Sequence, residues 1–169
     1  MNIQRALPWL LLALAVVALD QLTKYLVVLH IPLNDRLPVT FFFDLVHWQN
    51  DGAAFNLLAD AGGWQRWFFI SLAIGFSAYL VFELLRLRDE ERVMGWVFGL
   101  ILGGALGNMC DRIVIERVVD FALFHYEAYY FPAFNVADSA LFCGAAFWIW
   151  LMIGEYRQAK RDALSENAS

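Results

Sequence analysis

Charged residues make up only 17% of this 169-residue sequence, against about 25% in soluble globular domains. Lys and Arg number 12 and Asp and Glu 17, so the net charge of −5 excludes nucleic-acid binding by bulk electrostatics. Cysteine is scarce too. Cys110 and Cys143 both lie within apolar runs and form no CxxC pair, which excludes a disulfide framework. Neither a GxSxG elbow nor an HExxH pair is present, and His30, His47 and His125 show no metal-ligand spacing. No internal repeat or low-complexity tract stands out. What is abundant is apolar: 61% of residues, against roughly 45–50% in soluble domains. The length allows one domain, or two small ones at most, and a small water-soluble domain cannot hide that surplus. The sequence reads as an integral membrane protein, with its fifteen Phe and seven Trp facing lipid or the interface.

Crossing a hydrocarbon core takes about 20 apolar residues, and four stretches are long enough. They lie near residues 6–29, 67–85, 93–114 and 135–153. Between them run segments 30–66 and 115–134 on one side and a short charged link, 86–92, on the other. Residues 154–169 read as a frayed polar helix or coil. Outside the spans, Arg5, Arg86, Arg88, Arg92, Arg157, Lys160 and Arg161 gather on one side, and Arg36, Arg66 and Arg117 on the other. The positive-inside rule then places both termini and the short link in the cytoplasm, and the two longer segments face outward. The first span also has features of a cleavable signal peptide, but its apolar pattern resumes after Lys24 and gives a full span. Residues 39–48 are rich in Val, Thr, Phe and Trp and read as a strand or hairpin; residues 61–69 read as an interfacial segment. The expected fold is an all-α polytopic membrane protein, one domain over 1–169, with four transmembrane helices and a small β-rich periplasmic cap.

An ionisable group within a span costs about 2.5–3.5 kcal/mol on insertion scales, so each needs a reason. Asp20 and Lys24 come late in the first span, Asp111 and Arg112 late in the third, and Asp138 early in the fourth. With Asp120 just beyond the third span, they fall at one depth near the outer face. Glu83 sits at the opposite end of its span and can snorkel. In the third span Gly99, Gly103 and Gly107 recur every four residues, which lets helix backbones approach closely. Gly104, Asn108 and Arg112 share one stripe of that helix. Plainer readings stand beside these. Asp20 and Lys24 at i,i+4 can be a neutralising pair, Asp111 with Arg112 a structural one, and the glycine ladder packing alone. Asn135 can cap the fourth helix, and Asp138 can sit in its first turn because the dipole favours a carboxylate. Asp120, read as a loop residue, needs no special explanation by itself.

Five motifs then stand in order: Asp20-Gln21-Leu22-Thr23-Lys24, Asn50-Asp51-Gly52-Ala53-Ala54-Phe55, Gly103 through Arg112, Val118-Val119-Asp120-Phe121 and Phe134-Asn135-Val136-Ala137-Asp138. Their order and spacing resemble the bacterial lipoprotein signal peptidases (signal peptidase II), over about residues 20–138. The resemblance implies an aspartic endopeptidase of the bacterial inner membrane. Such an enzyme removes the signal peptide from diacylglyceryl-modified prolipoproteins, cleaving before the lipidated cysteine. It implies Asp120 and Asp138 as the catalytic pair. Asp20, Lys24, Asn50, Gly104, Asn108, Arg112, Asn135 and Ala137 would shape the site or hold the peptide. It further implies no metal or other cofactor, membrane lipids as surroundings, and cyclic peptide antibiotics as inhibitors. The sequence carries no argument for a dimer, and a monomer is the expectation.

The chemistry suits those residues. Two carboxylates within hydrogen-bonding reach hold a single proton between them, because like charges resist joint ionisation. The ionised member takes a proton from water, and the protonated member supplies one to the reacting amide. Two rival classes remain. An ion- or proton-coupled transporter would carry charged groups through the full membrane depth rather than gathered at one face. A non-catalytic assembly factor would have little need for Asp120 and Asp138 together.

Overall fold

The computed structural model describes residues 1–52 and 62–166. Ala53, Ala54 and Phe55 of the second motif, Ala61 of the interfacial stretch, and residues 167–169 of the tail lie outside the described residues. Four helices carry the fold: α1 (Ile3–His30), α2 (Trp64–Arg86), α3 (Arg92–Val114) and α4 (Val136–Glu166). Each is long and apolar enough to cross a membrane. At about 1.5 Å per residue, even the 23-residue helices exceed a hydrocarbon core roughly 30 Å thick.

α3 is the hub. Its most apolar window is 56% buried, against 22%, 22% and 17% for α1, α2 and α4, which turn most of their surface outward. Small residues make that possible. On α1, Ala6, Ala13 and Asp20 recur every seven residues and are buried along one stripe. A side-chain carbon added at Gly103 would lie 2.8 Å from the Ala13 carbonyl oxygen and 2.6 Å from Val16 Cβ. The helices therefore meet backbone to backbone, as small residues at four-residue spacing allow. Leu80, Leu84, Val97, Ile101 and Leu102 fill the core at the end of the bundle away from Asp20.

At the other end lies an antiparallel sheet of β1 (Arg36–Pro38), β2 (Phe43–Asn50), β3 (Val118–Tyr126) and β4 (Tyr129–Tyr130), in that order. A register shift between Leu45 and Trp48 kinks β2, and beyond it Trp48 faces Asp120 and Asn50 faces Val118. Ion pairs tie the sheet: Asp44, buried, lies 3.1 Å from Arg36 Nε. Arg66 closes the open end of α3 by donating to the carbonyls of Arg112 (2.8 Å) and Ile113 (3.2 Å), a cation at a helix C-terminus.

The helices and the small sheet are the architecture expected from the sequence, with two differences. Residues 39–42 form the turn of the β1–β2 hairpin, and the strand itself runs Phe43–Asn50. Asp120, read as a loop residue, lies on β3, a strand buried on both faces over Val118–Asp120. Of the two readings of the tail, the structure takes the helix. α4 continues to Glu166, with a Gln158–Asp162 hydrogen bond of 2.9 Å across one of its polar turns.

Candidate active site

α4 begins with a reciprocal cap. Asn135 Oδ1 accepts from the Asp138 N–H at 2.8 Å, and Asp138 Oδ2 accepts from the Asn135 N–H at 3.3 Å. An acceptor at the cap answered by a carboxylate three residues on satisfies two otherwise orphaned donors. It also fixes the Asp138 carboxylate at a helix N-terminus.

Asp120 reaches the same place on β3. Phe134, the residue before the cap, donates to the Ala122 carbonyl at 3.1 Å and accepts from the amides of Phe121 and Ala122 at 3.0 and 2.8 Å. The strand bearing one acid is thus stitched to the start of the helix bearing the other. α3 lies against both. A side-chain carbon at Gly104 would sit 2.4 Å from the Ala137 carbonyl oxygen, so only glycine admits this approach of α3 to α4. Ala137 itself is fully buried at that contact.

The side-chain amides have their orientations set by partners that can only donate or only accept. The Lys24 ammonium only donates, so Asn108 turns Oδ1 toward it (3.0 Å) and Nδ2 toward Asp138 Oδ1 (2.7 Å). Asn135 Oδ1 is taken by the Asp138 amide, so its Nδ2 faces Asp120 Oδ1 at 2.8 Å. Asn50 Nδ2 donates to the other oxygen, Asp120 Oδ2, at 3.2 Å. Both acids are held by neutral donors. Burial, reinforced by the neighbouring Asp138 carboxylate, pushes Asp120 up to about 7; the hydrogen bonds from Asn50 and Asn135 oppose the rise.

Both carboxylates border one cavity of about 1500 Å³. Asn50, Gly52, Asn108 and Arg112 line its polar end; Phe69, Leu72 and Phe76 of α2, Ala105 of α3, and Leu141 and Phe142 of α4 line its apolar flank. Arg112 places its guanidinium 4.8 Å above the Phe69 ring and donates to the Gly52 carbonyl at 2.8 Å and the Asn108 carbonyl at 3.3 Å. It ties the turn after β2 to α3.

Of the residues singled out from the sequence, Asp120, Asp138, Asn50, Asn108 and Arg112 border the cavity. Asn135 joins the two acids from behind, and Gly104 and Ala137 form the helix contact. Asp20 and Lys24 do not border the cavity; they lie buried behind it, 2.8 Å apart. Two further residues enter this buried layer: Asp111, 2.8 Å from Lys24, and Gln21, which donates to Asp111 Oδ1 at 2.7 Å. Asp111 had a structural reading in the sequence, and Gln21 had none beyond its place in the first motif. The signal for Gln21 was its position beside Asp20 at the depth where the charges collect. Among the described residues no group of three or more His, Cys, Asp or Glu converges as a metal-ligand set.

The chain is similar to known proteins in both sequence and structure. A family model described as "Signal peptidase (SPase) II" matches residues 12–154. A lipoprotein signal peptidase of Azoarcus sp. (strain BH72) is 48% identical over 147 residues, covering 87% of this chain and 83% of its own. One from Yersinia enterocolitica is 46% identical over 144 residues, 85% of each chain. Among solved structures, a bacterial membrane enzyme determined at 2.3 Å aligns with a TM-score of 0.77 at 31% identity, covering 88% of this chain and 89% of its own. Another, at 1.9 Å, aligns with a TM-score of 0.72 at 32% identity, covering 86% and 92%.

Proposed function

The chain belongs to the signal peptidase II family, peptidases of the membrane, and from that premise we propose that Asp120 and Asp138 are its catalytic pair. The substrate is a diacylglyceryl-modified prolipoprotein, cut at the peptide bond before the lipidated cysteine. One observation carries the reading: two acids from different elements, joined through Asn135, open onto the same cavity.

Hydrolysis of an amide needs a nucleophile and a proton for the leaving nitrogen. With one proton on the pair, the ionised carboxylate takes a proton from a water held between them as its oxygen attacks the carbonyl carbon. The protonated carboxyl donates to the carbonyl oxygen, giving a tetrahedral gem-diol. Collapse breaks the C–N bond, a proton passes to the amine, and the pair regains its single shared proton. The two acids titrate together, so base and acid belong to the pair rather than to a named residue. Asn50, Asn108 and Asn135 orient the carboxylates with neutral donors, which leaves the proton free to move between them. Arg112 holds the Gly52 turn at the mouth of the site.

The cavity's form suits such a substrate. Its apolar flank between α2 and α4 faces the bilayer and receives acyl chains and the signal helix, while the acids sit at the polar end. The Lys and Arg distribution puts both termini in the cytoplasm and the sheet and acids at the periplasmic side of the inner membrane. Cyclic peptide inhibitors would occupy this same cavity. The enzyme works as a monomer without a cofactor.

The test is a pair of precursor peptides, with and without the diacylglyceryl group, incubated with the purified protein and read by mass spectrometry. Release of the signal peptide only from the modified precursor, cut before its cysteine, is expected. Equal cleavage of both, or cleavage elsewhere, contradicts the assignment.

A further inference from the structure

Behind the cavity lies a buried layer that the chemistry above does not use. The Lys24 ammonium has three protons and meets three acceptors: Asp20 Oδ2 at 2.8 Å, Asp111 Oδ2 at 2.8 Å and Asn108 Oδ1 at 3.0 Å. Lys24, Asp20 and Asp111 are all buried. Both acids also accept from a backbone amide, Asp20 through its other oxygen and Asp111 through the oxygen that meets Lys24. Asp20 Oδ1 accepts from Ala137 N–H at 2.8 Å, and Asp111 Oδ2 accepts from Val119 N–H at 3.1 Å. Ala137 immediately precedes Asp138, and Val119 immediately precedes Asp120. Gln21 Nε2 spans the two acids, donating to Asp111 Oδ1 (2.7 Å) and Asp20 Oδ2 (3.2 Å).

From this symmetry we infer that Asp111, with Gln21 and the Asp20–Lys24 pair, is a positioning device that sets the spacing of the two catalytic aspartates through the backbone amide before each. The inference rests on the pair assigned above and adds a role for residues that do not touch substrate. A neutral pair of helices could be held together by packing alone, and here packing already exists through Gly104. A buried charged group is costly to retain unless every partner is satisfied, and this one satisfies all three ammonium protons. Two amides on separate elements, strand β3 and helix α4, are referred to one lysine. A shift of about 1 Å in the relative placement of reacting groups can cost about 100-fold in rate.

Two variants test this, read by steady-state kinetics on a lipidated precursor and by amide hydrogen exchange. Gln21→Met keeps the volume and removes the bridge between the acids; Asp111→Asn weakens the tie to Lys24. A 5- to 50-fold fall in kcat with KM within two-fold of the parent is expected for each. Faster exchange of the Val119 amide, with core amides of α3 unchanged, is expected alongside. Unchanged kcat in folded Gln21→Met and Asp111→Asn, or losses that appear in KM alone, overturns the inference. Asp120→Asn and Asp138→Asn run in parallel keep the two proposals apart. If these two still cleave, the catalytic assignment fails; if they are inactive while Gln21→Met and Asp111→Asn match the parent, only the positioning role fails. Should Asp111→Asn not fold, Gln21→Met decides alone.

Discussion

Two pairs of aspartates lie within one layer of this protein and are treated in opposite ways. Asp20 and Asp111 share the ammonium of Lys24 at 2.8 Å each, together with amide donors, on the buried side. Among the described residues, Asp120 and Asp138 receive neutral amide hydrogens from Asn50, Asn108 and Asn135, and they face the cavity. The first pair is tied to a buried cation and to backbone amides of β3 and α4. Asp120, held by neutral donors in a buried setting beside a second carboxylate, keeps its proton up to about pH 7. Four aspartates of one chemistry thus divide by their donors, the first two proposed above as scaffold and the second two as the working pair.

Changes at the donors break that contrast most strongly. Asn135→Leu removes the hydrogen bond to Asp120 and the cap of α4 together. Its kcat falls by roughly 10²–10³, the scale set by losing one oriented donor in an active site, as a fluorogenic lipopeptide assay would read. Gly104→Val drives a side chain into the Ala137 carbonyl and separates the working pair without touching it. Overpacking of that kind costs about 1–3 kcal/mol, seen as a lowered Tm in detergent together with a fall in kcat of at least ten-fold.

Proton exchange sharpens the contrast. With Asp120 pushed up to about 7, the pair loses its shared proton above about pH 7 and no acid remains for the leaving amine. The kcat/KM profile therefore falls on its alkaline side from about pH 7, and falls again in acid as the second carboxylate protonates; a flat profile to pH 9 contradicts this. The smallest effect is on stability. Asp120 binds its proton more tightly folded than unfolded, where the ordinary value is about 3.9, so its contribution is complete below about pH 4 and is lost as pH rises through about 7. The Tm of the parent drops across that window by a few degrees more than that of Asp120→Asn.

Much of this was legible in the residues. Spans are bounded by the cost of placing charge in lipid, so α1 to α4 declare themselves by length, and the exceptions to apolarity mark the depth of the site. Asn135 with Asp138 is a local capping pattern, readable from a spacing of three. Strand β3 was less legible. Val118, Val119 and Asp120 are buried on both faces and show no alternation, and their partner, β2, lies some seventy positions earlier in the chain. The hydrogen bonds that Asp20 accepts from Ala137 and Asp111 from Val119 depend on how α1, α3, β3 and α4 meet, and no spacing along the chain announces them. The polar end of α4 left helix and coil both open, because neither face is apolar; in the structure it is helical to Glu166, with a Gln158–Asp162 bond across one turn.

The most direct examination of the working pair is a double-mutant cycle in kcat on a lipidated precursor: Asp120→Asn, Asp138→Asn and both together. Groups that act as one unit lose nearly everything with the first replacement, so all three variants should sit at the same residual rate, at least about 10³-fold below the parent. A single variant within ten-fold of the parent, or a double loss equal to the product of the two single losses, would show two acids working independently.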